Sequence, residues 1–121
     1  MERRLKVLVT DNRQTTRQGL RALLSLLPEV ETIAEAADGQ QSVDFVAEHR
    51  PDVVLMDMQM PVMDGVEATR RIKEQWPTVR VIALTIYPQY RAKALAAGAD
   101  LFLLKDSAAE ALVGAILNKI D

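Results

Sequence analysis

Five short apolar runs recur along the chain, each followed by a stretch of helical periodicity, and this alternation constrains the fold more than any other feature. Leu5-Lys6-Val7-Leu8-Val9 reads as the first strand. Leu20, Leu23, Leu24 and Leu27 then follow helical spacing, and Pro28 closes that helix. Val30 to Ala36 reads as the second strand. Asp38 and Gln41 have the spacing of a capping box for helix two, whose buried face is Val43, Val46 and Ala47, with Pro51 as its stop. Asp52-Val53-Val54-Leu55-Met56-Asp57 is a third strand with an acid at each end, and its continuous apolar centre suits a strand covered on both faces. Asp64-Gly65-Val66-Glu67 opens helix three and Trp76-Pro77 ends it. Val79 to Thr85 is strand four, Pro88 to Ala97 a short helix four, and Leu101 to Leu104 strand five. Ser107 to Glu110 reads as a second capping box, for a helix five that turns Leu112, Ile116 and Ile120 inward.

Repeated βα units predict an α/β fold: a doubly wound parallel sheet of the flavodoxin-like (βα)5 type, with strand order 2-1-3-4-5. The chain has 121 residues, the size of one domain, and no internal repeat or linker is visible, so residues 1–121 read as a single domain. The absence of cysteine excludes disulfides, thiolate metal sites and thiol nucleophiles. Lys+Arg of 15 against Asp+Glu of 17 gives a net charge of −2, which disfavours direct nucleic-acid binding. The apolar runs are too short to span a bilayer and the N-terminus does not resemble a signal peptide, so a cytoplasmic domain without membrane contact is expected.

In such a sheet, ligands bind beyond the carboxyl ends of the strands, where the strand order reverses. The residues there are Thr10-Asp11, Asp57, Thr85 and Lys105. Strand ends are often polar for structural reasons alone, but all four together suggest a chemistry. Two adjacent carboxylates favour a divalent cation, and an oxygen-only set favours Mg²⁺. A carboxylate can accept a phosphoryl group, and a hydroxyl and an ammonium can hold the phosphoryl oxygens. Asp57, ending the most apolar strand, is the best acceptor.

The segment Asp57-Met58-Gln59-Met60-Pro61-Val62-Met63-Asp64-Gly65 resembles the phosphorylation-site segment of response regulator receiver (CheY-like) domains. Pro51-Asp52, Leu84-Thr85, Ala99-Asp100 and Leu104-Lys105 are similar to the family too. Arg17 to Leu24 and Lys105-Asp106 resemble the NarL/FixJ (LuxR-type) branch. The resemblance implies that Asp57 is the phosphoacceptor and that Asp11, Asp57 and the Gln59 backbone carbonyl bind Mg²⁺. It implies that Thr85 is the switch hydroxyl, Lys105 its cationic partner and Phe102 the aromatic switch residue, with Tyr87 influencing phosphoryl lifetime. It further implies a sensor histidine kinase as partner, a possible homodimer on phosphorylation, and DNA contact only through a C-terminal output domain absent from this chain. The activity expected is that of a switch, at most catalysing its own phosphorylation and dephosphorylation.

Three features depart from the family pattern. Thr10 stands where an acid is usual, the stretch from Thr85 to Gly98 is about two residues short, and the bulky Tyr87 follows the switch hydroxyl. Thr10 keeps a second reading open, a pseudo-receiver serving as an interaction module with weak or no phosphorylation. A flavodoxin-like electron carrier fits poorly, because Asp11 points an acid where a phosphate would sit. No cap domain for a small-molecule phosphatase is visible. His49 reads as an exposed helix-end residue, Trp76 and the methionines as packing. Arg13, Arg17 and Arg21 form a row on helix one, read as a solvated face or else a docking surface. Helices one and five are the expected dimer surface, in view of the short helix four.

Overall fold

The computed structural model describes residues 4–107 and 109–117. Strand β1 (Leu5–Thr10), helix α1 (Gln14–Leu24), β2 (Val30–Ala36), α2 (Gly39–His49), β3 (Val53–Met56) and α3 (Gly65–Gln75) are followed by β4 (Arg80–Thr85). A 3₁₀ turn (Pro88–Tyr90), α4 (Arg91–Ala96), β5 (Leu101–Leu104) and α5 (Ala109–Leu117) complete the chain. The five strands pair in the order β2-β1-β3-β4-β5, all parallel, as the alternation predicts.

The period of two along the strands divides the core between the faces of the sheet. Leu8, Val54, Met56, Val81 and Ala83 pack with Val46 of α2, Ile72 of α3 and Ala94 of α4. Val7, Val9, Leu55 and Ile82 pack with Leu24 of α1 and with Leu112 and Ile116 of α5. Each fully buried Leu or Ile stabilises by roughly 1.5–3 kcal/mol relative to exposure. Every residue of β3 is buried, which explains its unbroken apolar run.

The structure corrects several local expectations. Helix α1 stops at Leu24; the N–H groups of Leu26 and Leu27 turn back to Leu23 O and Leu24 O, so Leu27 packs from a turn rather than from the helix. Ala47 is exposed, and α2 buries Ser42, Val43 and Val46 instead. Asp38 caps α2 by accepting from Gln41 N at 2.8 Å. Gln41 Oε1 accepts from Ala37 N, one residue ahead of the reciprocal partner. Asp64 caps α3, but the Glu67 carboxylate turns to Arg70 and Arg71. Both acids flanking β3 lie outside it, β1 runs on to Thr10, and β4 begins at Arg80. The predicted helix four is a 3₁₀ turn leading into six α-helical residues. The capping box across Ala108, and Ile120, lie outside the described residues.

His49 is exposed, its ring 4.4 Å from that of Phe45. Trp76 is half-buried beneath the Arg50 guanidinium, 5.1 Å from its ring centroid. Met56 and Met58 are fully buried, and Met60 and Met63 pack against the same core.

The two edges of the sheet are held differently. Arg21 Nη2 donates to Ile33 O at 2.7 Å and Arg4 Nη2 to Val30 O at 3.3 Å, so side chains occupy part of the outer backbone of β2. Among the described residues no side chain bonds the backbone of β5, whose residues are all half-buried.

Candidate functional site

The parallel register brings the ends of β1 and β3 together. Thr10 pairs with Met56, and the next residue of β3's chain, Asp57, donates its N–H to Thr10 O at 3.0 Å. Asp11 and Asp57 therefore emerge side by side, 1% and 7% exposed. Lys105 follows the end of β5, its N–H bonded to Thr85 O. Its ammonium reaches back across the strand ends to Asp11 Oδ2 at 2.6 Å and Asp57 Oδ1 at 3.4 Å. One cation thus serves two buried carboxylates and leans toward Asp11. Asp11 Oδ1 also accepts from Arg13 N, and Asp57 Oδ1 from Met58 N, both at 2.9 Å. Burial pushes the Asp57 carboxyl above its ordinary range; Lys105 opposes that shift and the neighbouring Asp11 charge adds to it.

Asp57 and Lys105 line a cleft of about 210 Å³, together with Gln59, Tyr87, Arg13 and Thr16. Asn12 and Ile86 complete its wall, and Ile86 is an exposed apolar residue. Thr85 is fully buried just behind it, its Oγ1 accepting from Tyr87 N at 3.2 Å. Phe102 is half-buried against the core on the α2–α3–α4 face and does not line the cleft. The structure thus gathers Asp11, Asp57, Gln59, Tyr87 and Lys105, with Thr85 next to them. Asn12, Arg13, Thr16 and Ile86 are lining residues that the sequence reading did not assign to the site. Their signal lay in topology, since the turns after β1 and β4 must border the point of strand reversal.

The loop carrying Gln59 is held at two glycines. Gly65 N donates to Met58 O and Gly39 N to Met63 O. A Cβ on Gly65 would lie 1.8 Å from Asp57 O, and one on Gly39 would lie 2.3 Å from Met63 O. Within that loop Val62 adopts φ 69°, left-handed backbone for a β-branched side chain.

Thr10 takes a different part from the acid it replaces. Its Oγ1 lies 3.1 Å from Ser42 Oγ, and both residues are buried, so its hydroxyl is engaged with α2. The arginine row is divided as well. Arg17 and Arg21 both bond the Glu35 carboxylate, whose pKa they lower, and Arg17 also donates to Asp11 O. Arg13 and Arg21 are both exposed, as expected of a solvated row, but among the described residues only the Arg13 guanidinium has no hydrogen-bond or ion-pair partner.

Asp57 and Gln59 line the cleft and Asp11 shares Lys105 with Asp57, a set with oxygen donors and no His or Cys, and no group of three His, Cys, Asp or Glu occurs among the described residues. Such an oxygen-only set fits a hard cation that keeps several of its waters, as Mg²⁺ does.

Residues 7–117 match the family described as the response regulator receiver domain. The chain is 38% identical over 117 residues to the transcriptional regulatory protein DegU of Brevibacillus brevis, covering 95% of this chain and 50% of that protein. It is 41% identical over 116 residues to LnrK of Bacillus subtilis, covering 94% of this chain and 53% of that one. Among solved structures, a LuxR-family two-component response regulator from Aurantimonas superposes with a TM-score of 0.87 at 32% identity, covering 93% of this chain and 82% of that chain. The response regulator domain of Thermotoga maritima CheB gives 0.87 at 30%, covering 94% of both chains. The chain spans about half the length of the transcriptional regulators it matches.

Proposed function

This chain belongs to the response regulator receiver domain family, and from that premise we propose that it is a phosphorylation-controlled switch that accepts a phosphoryl group on Asp57 from a sensor histidine kinase. The observation that carries the reading is the single Lys105 ammonium shared between Asp11 and Asp57 at the strand ends. An Asp57 oxygen attacks phosphorus, the bond from phosphorus to the donor's leaving group breaks, and an acyl phosphate forms. Asp11, Asp57 and the Gln59 carbonyl would hold Mg²⁺, which when bound offsets charge on the phosphoryl oxygens. Lys105 leaves Asp57 for the new phosphoryl oxygens, and the Thr85 hydroxyl turns from Tyr87 N toward them. Tyr87, on the wall of the cleft, screens the acyl phosphate from water.

Receiver domains are signalling domains, and the chain's relatives include transcriptional regulators. In this reading residues 1–121 are one receiver unit that controls a LuxR-type DNA-binding output domain and dimerises through α1 and α5. None of the described helices is long and apolar enough to cross a membrane. The engagement of Thr10 with Ser42, which leaves the site one acid fewer, favours a second reading, a pseudo-receiver acting by protein contact alone.

Incubation with acetyl phosphate and Mg²⁺ separates the two. The switch reading expects a single phosphoryl adduct by mass spectrometry, labile to hydroxylamine and absent in Asp57→Asn. An unmodified wild-type protein, or an equal adduct on Asp57→Asn, would overturn it.

A further inference from the structure

We propose that Arg13 is the donor-binding residue of this site, its guanidinium receiving the phosphoryl oxygens of an incoming phosphodonor at the mouth of the cleft. The inference rests on the phosphoacceptor reading of Asp57.

Four observations single Arg13 out from the row it begins. Arg17 and Arg21 are consumed by Glu35, and Arg17 also by Asp11 O. Arg13 is exposed, and its guanidinium has no hydrogen-bond or ion-pair partner among the described residues, while its backbone N–H is fixed by Asp11 Oδ1. It occupies the N-cap of α1 without capping it, a position where Ser, Thr, Asp or Asn would bond the first turn. The residue type therefore gives the helix nothing at this position. Arg13 does line the same cleft as Asp57 and Lys105.

The charge arrangement shows what it can do there. Asp57 lines the cleft and Asp11 shares its Lys105 partner, whose ammonium lies closer to Asp11. A phosphodonor carries negative charge on the group to be transferred, so it meets repulsion from Asp57 as it approaches. Arg13 adds a second, uncommitted cation to the lining of the cleft. A guanidinium matches two phosphoryl oxygens with paired N–H donors, which a solvated ammonium does not fix in direction. Thr16, in the first turn of α1, also lines the cleft and contributes only a small side chain. Arg13 thus binds the donor in its ground state, while Lys105 meets charge that has already moved onto the acceptor. With acetyl phosphate the balance is complete: the Asp57 oxygen bonds to phosphorus, the bond from phosphorus to the acetyl oxygen breaks, and acetate departs with its electron pair.

The test compares wild type with Arg13→Ala, Arg13→Glu and Arg13→Lys at fixed Mg²⁺ and ionic strength, following the adduct by mass spectrometry against acetyl phosphate concentration. Loss of one half-exposed charge-assisted contact predicts a rise of about fivefold to tenfold in the half-saturating concentration for Arg13→Ala. The rise should be larger for Arg13→Glu, with Arg13→Lys recovering part of it and the saturating rate changing less than twofold. A structural role would not follow the sign of the charge in this way. A second measurement needs no transfer: in Asp57→Asn, acetyl phosphate titrated against backbone amide shifts around the cleft reports binding alone. Adding Arg13→Ala to that protein should weaken binding by the same factor. Equal binding with and without Arg13 overturns the assignment whether or not an adduct ever forms. Weakened binding without any adduct on the wild type upholds Arg13 and removes instead the phosphoacceptor reading of Asp57.

Discussion

Val62 holds its backbone at φ 69° while the residue is 81% exposed, so little packing offsets the crowding of a branched Cβ in the left-handed region. Asn tolerates that region far better. Val62→Asn is expected to stabilise the protein by about 1 kcal/mol in equilibrium urea unfolding; an unchanged or lower midpoint would show that the loop relaxes around Val62 without strain. Asp57 works against stability in another way. Burial raises its carboxyl from the ordinary 3.8, so between that value and the raised one the folded chain binds more protons than the unfolded. Stability attributable to this group therefore falls as pH rises through that window. Asp57→Asn should be more stable than wild type at pH 7, with the advantage fading as the pH is lowered through the same window; thermal unfolding across pH checks the sign. Asp11, Asp57 and Lys105 were legible in the sequence because strand ends fix where a residue emerges. The engagement of Thr10 with Ser42 was not, because alternation assigns a side chain to a face of the sheet and says nothing of its rotamer or of its partner on α2. The division of the arginine row was hidden for a related reason: Glu35, which takes two of the three, sits on a strand far away in sequence.

At the scale of elements, the glycines sort by what surrounds them. Gly19 lies within α1 with nothing within 4 Å of an added Cβ. Gly19→Ala should therefore stabilise by about 0.5–1 kcal/mol through helix propensity alone. Gly65 begins α3 with the Asp57 carbonyl where its Cβ would go. Gly65→Ala should lower stability by more than about 2 kcal/mol, since the obstacle is backbone that cannot rotate aside. Urea midpoints of the two variants moving in the same direction would contradict this account. Most elements could be read from periodicity, but several boundaries and one helix face could not. Leu26 and Leu27 extend the apolar pattern of α1 although the helix has ended, and Leu26 is 75% exposed. Ala47 fits an apolar stripe by type but faces solvent, because α2 turns its narrower face of Ser42, Val43 and Val46 to the sheet. Between Thr85 and Gly98 the short connection forces a 3₁₀ turn before α4, a matter of span that residue types do not encode.

For the molecule as a whole, strand order and site followed from the alternation, since right-handed crossovers leave few ways to wind five βα units. The burial of Thr85 behind the cleft, joined through its carbonyl to Lys105 N, ties the site to both β4 and β5. Phosphorylated Thr85→Ala should keep its adduct yet show amide shift changes along β4, β5 and Phe102 that are reduced by at least half relative to wild type. Equal changes in the two proteins, measured by NMR, would mean that the signal travels another way. If the site passes such a signal on, the unequal treatment of the two sheet edges would favour β5 as its carrier. On the β2 side, arginines stitch the outermost strand to α1 and to the residue that leads into β1. On the β5 side, among the described residues, the last strand is bonded along the flank that pairs with β4 and no side chain bonds its backbone. In mechanical terms one margin is clamped and the other compliant. A push delivered at the strand ends would do its work where stiffness is lowest, so displacement would collect in β5 and in the helices beside it while the clamped margin would serve as the anvil.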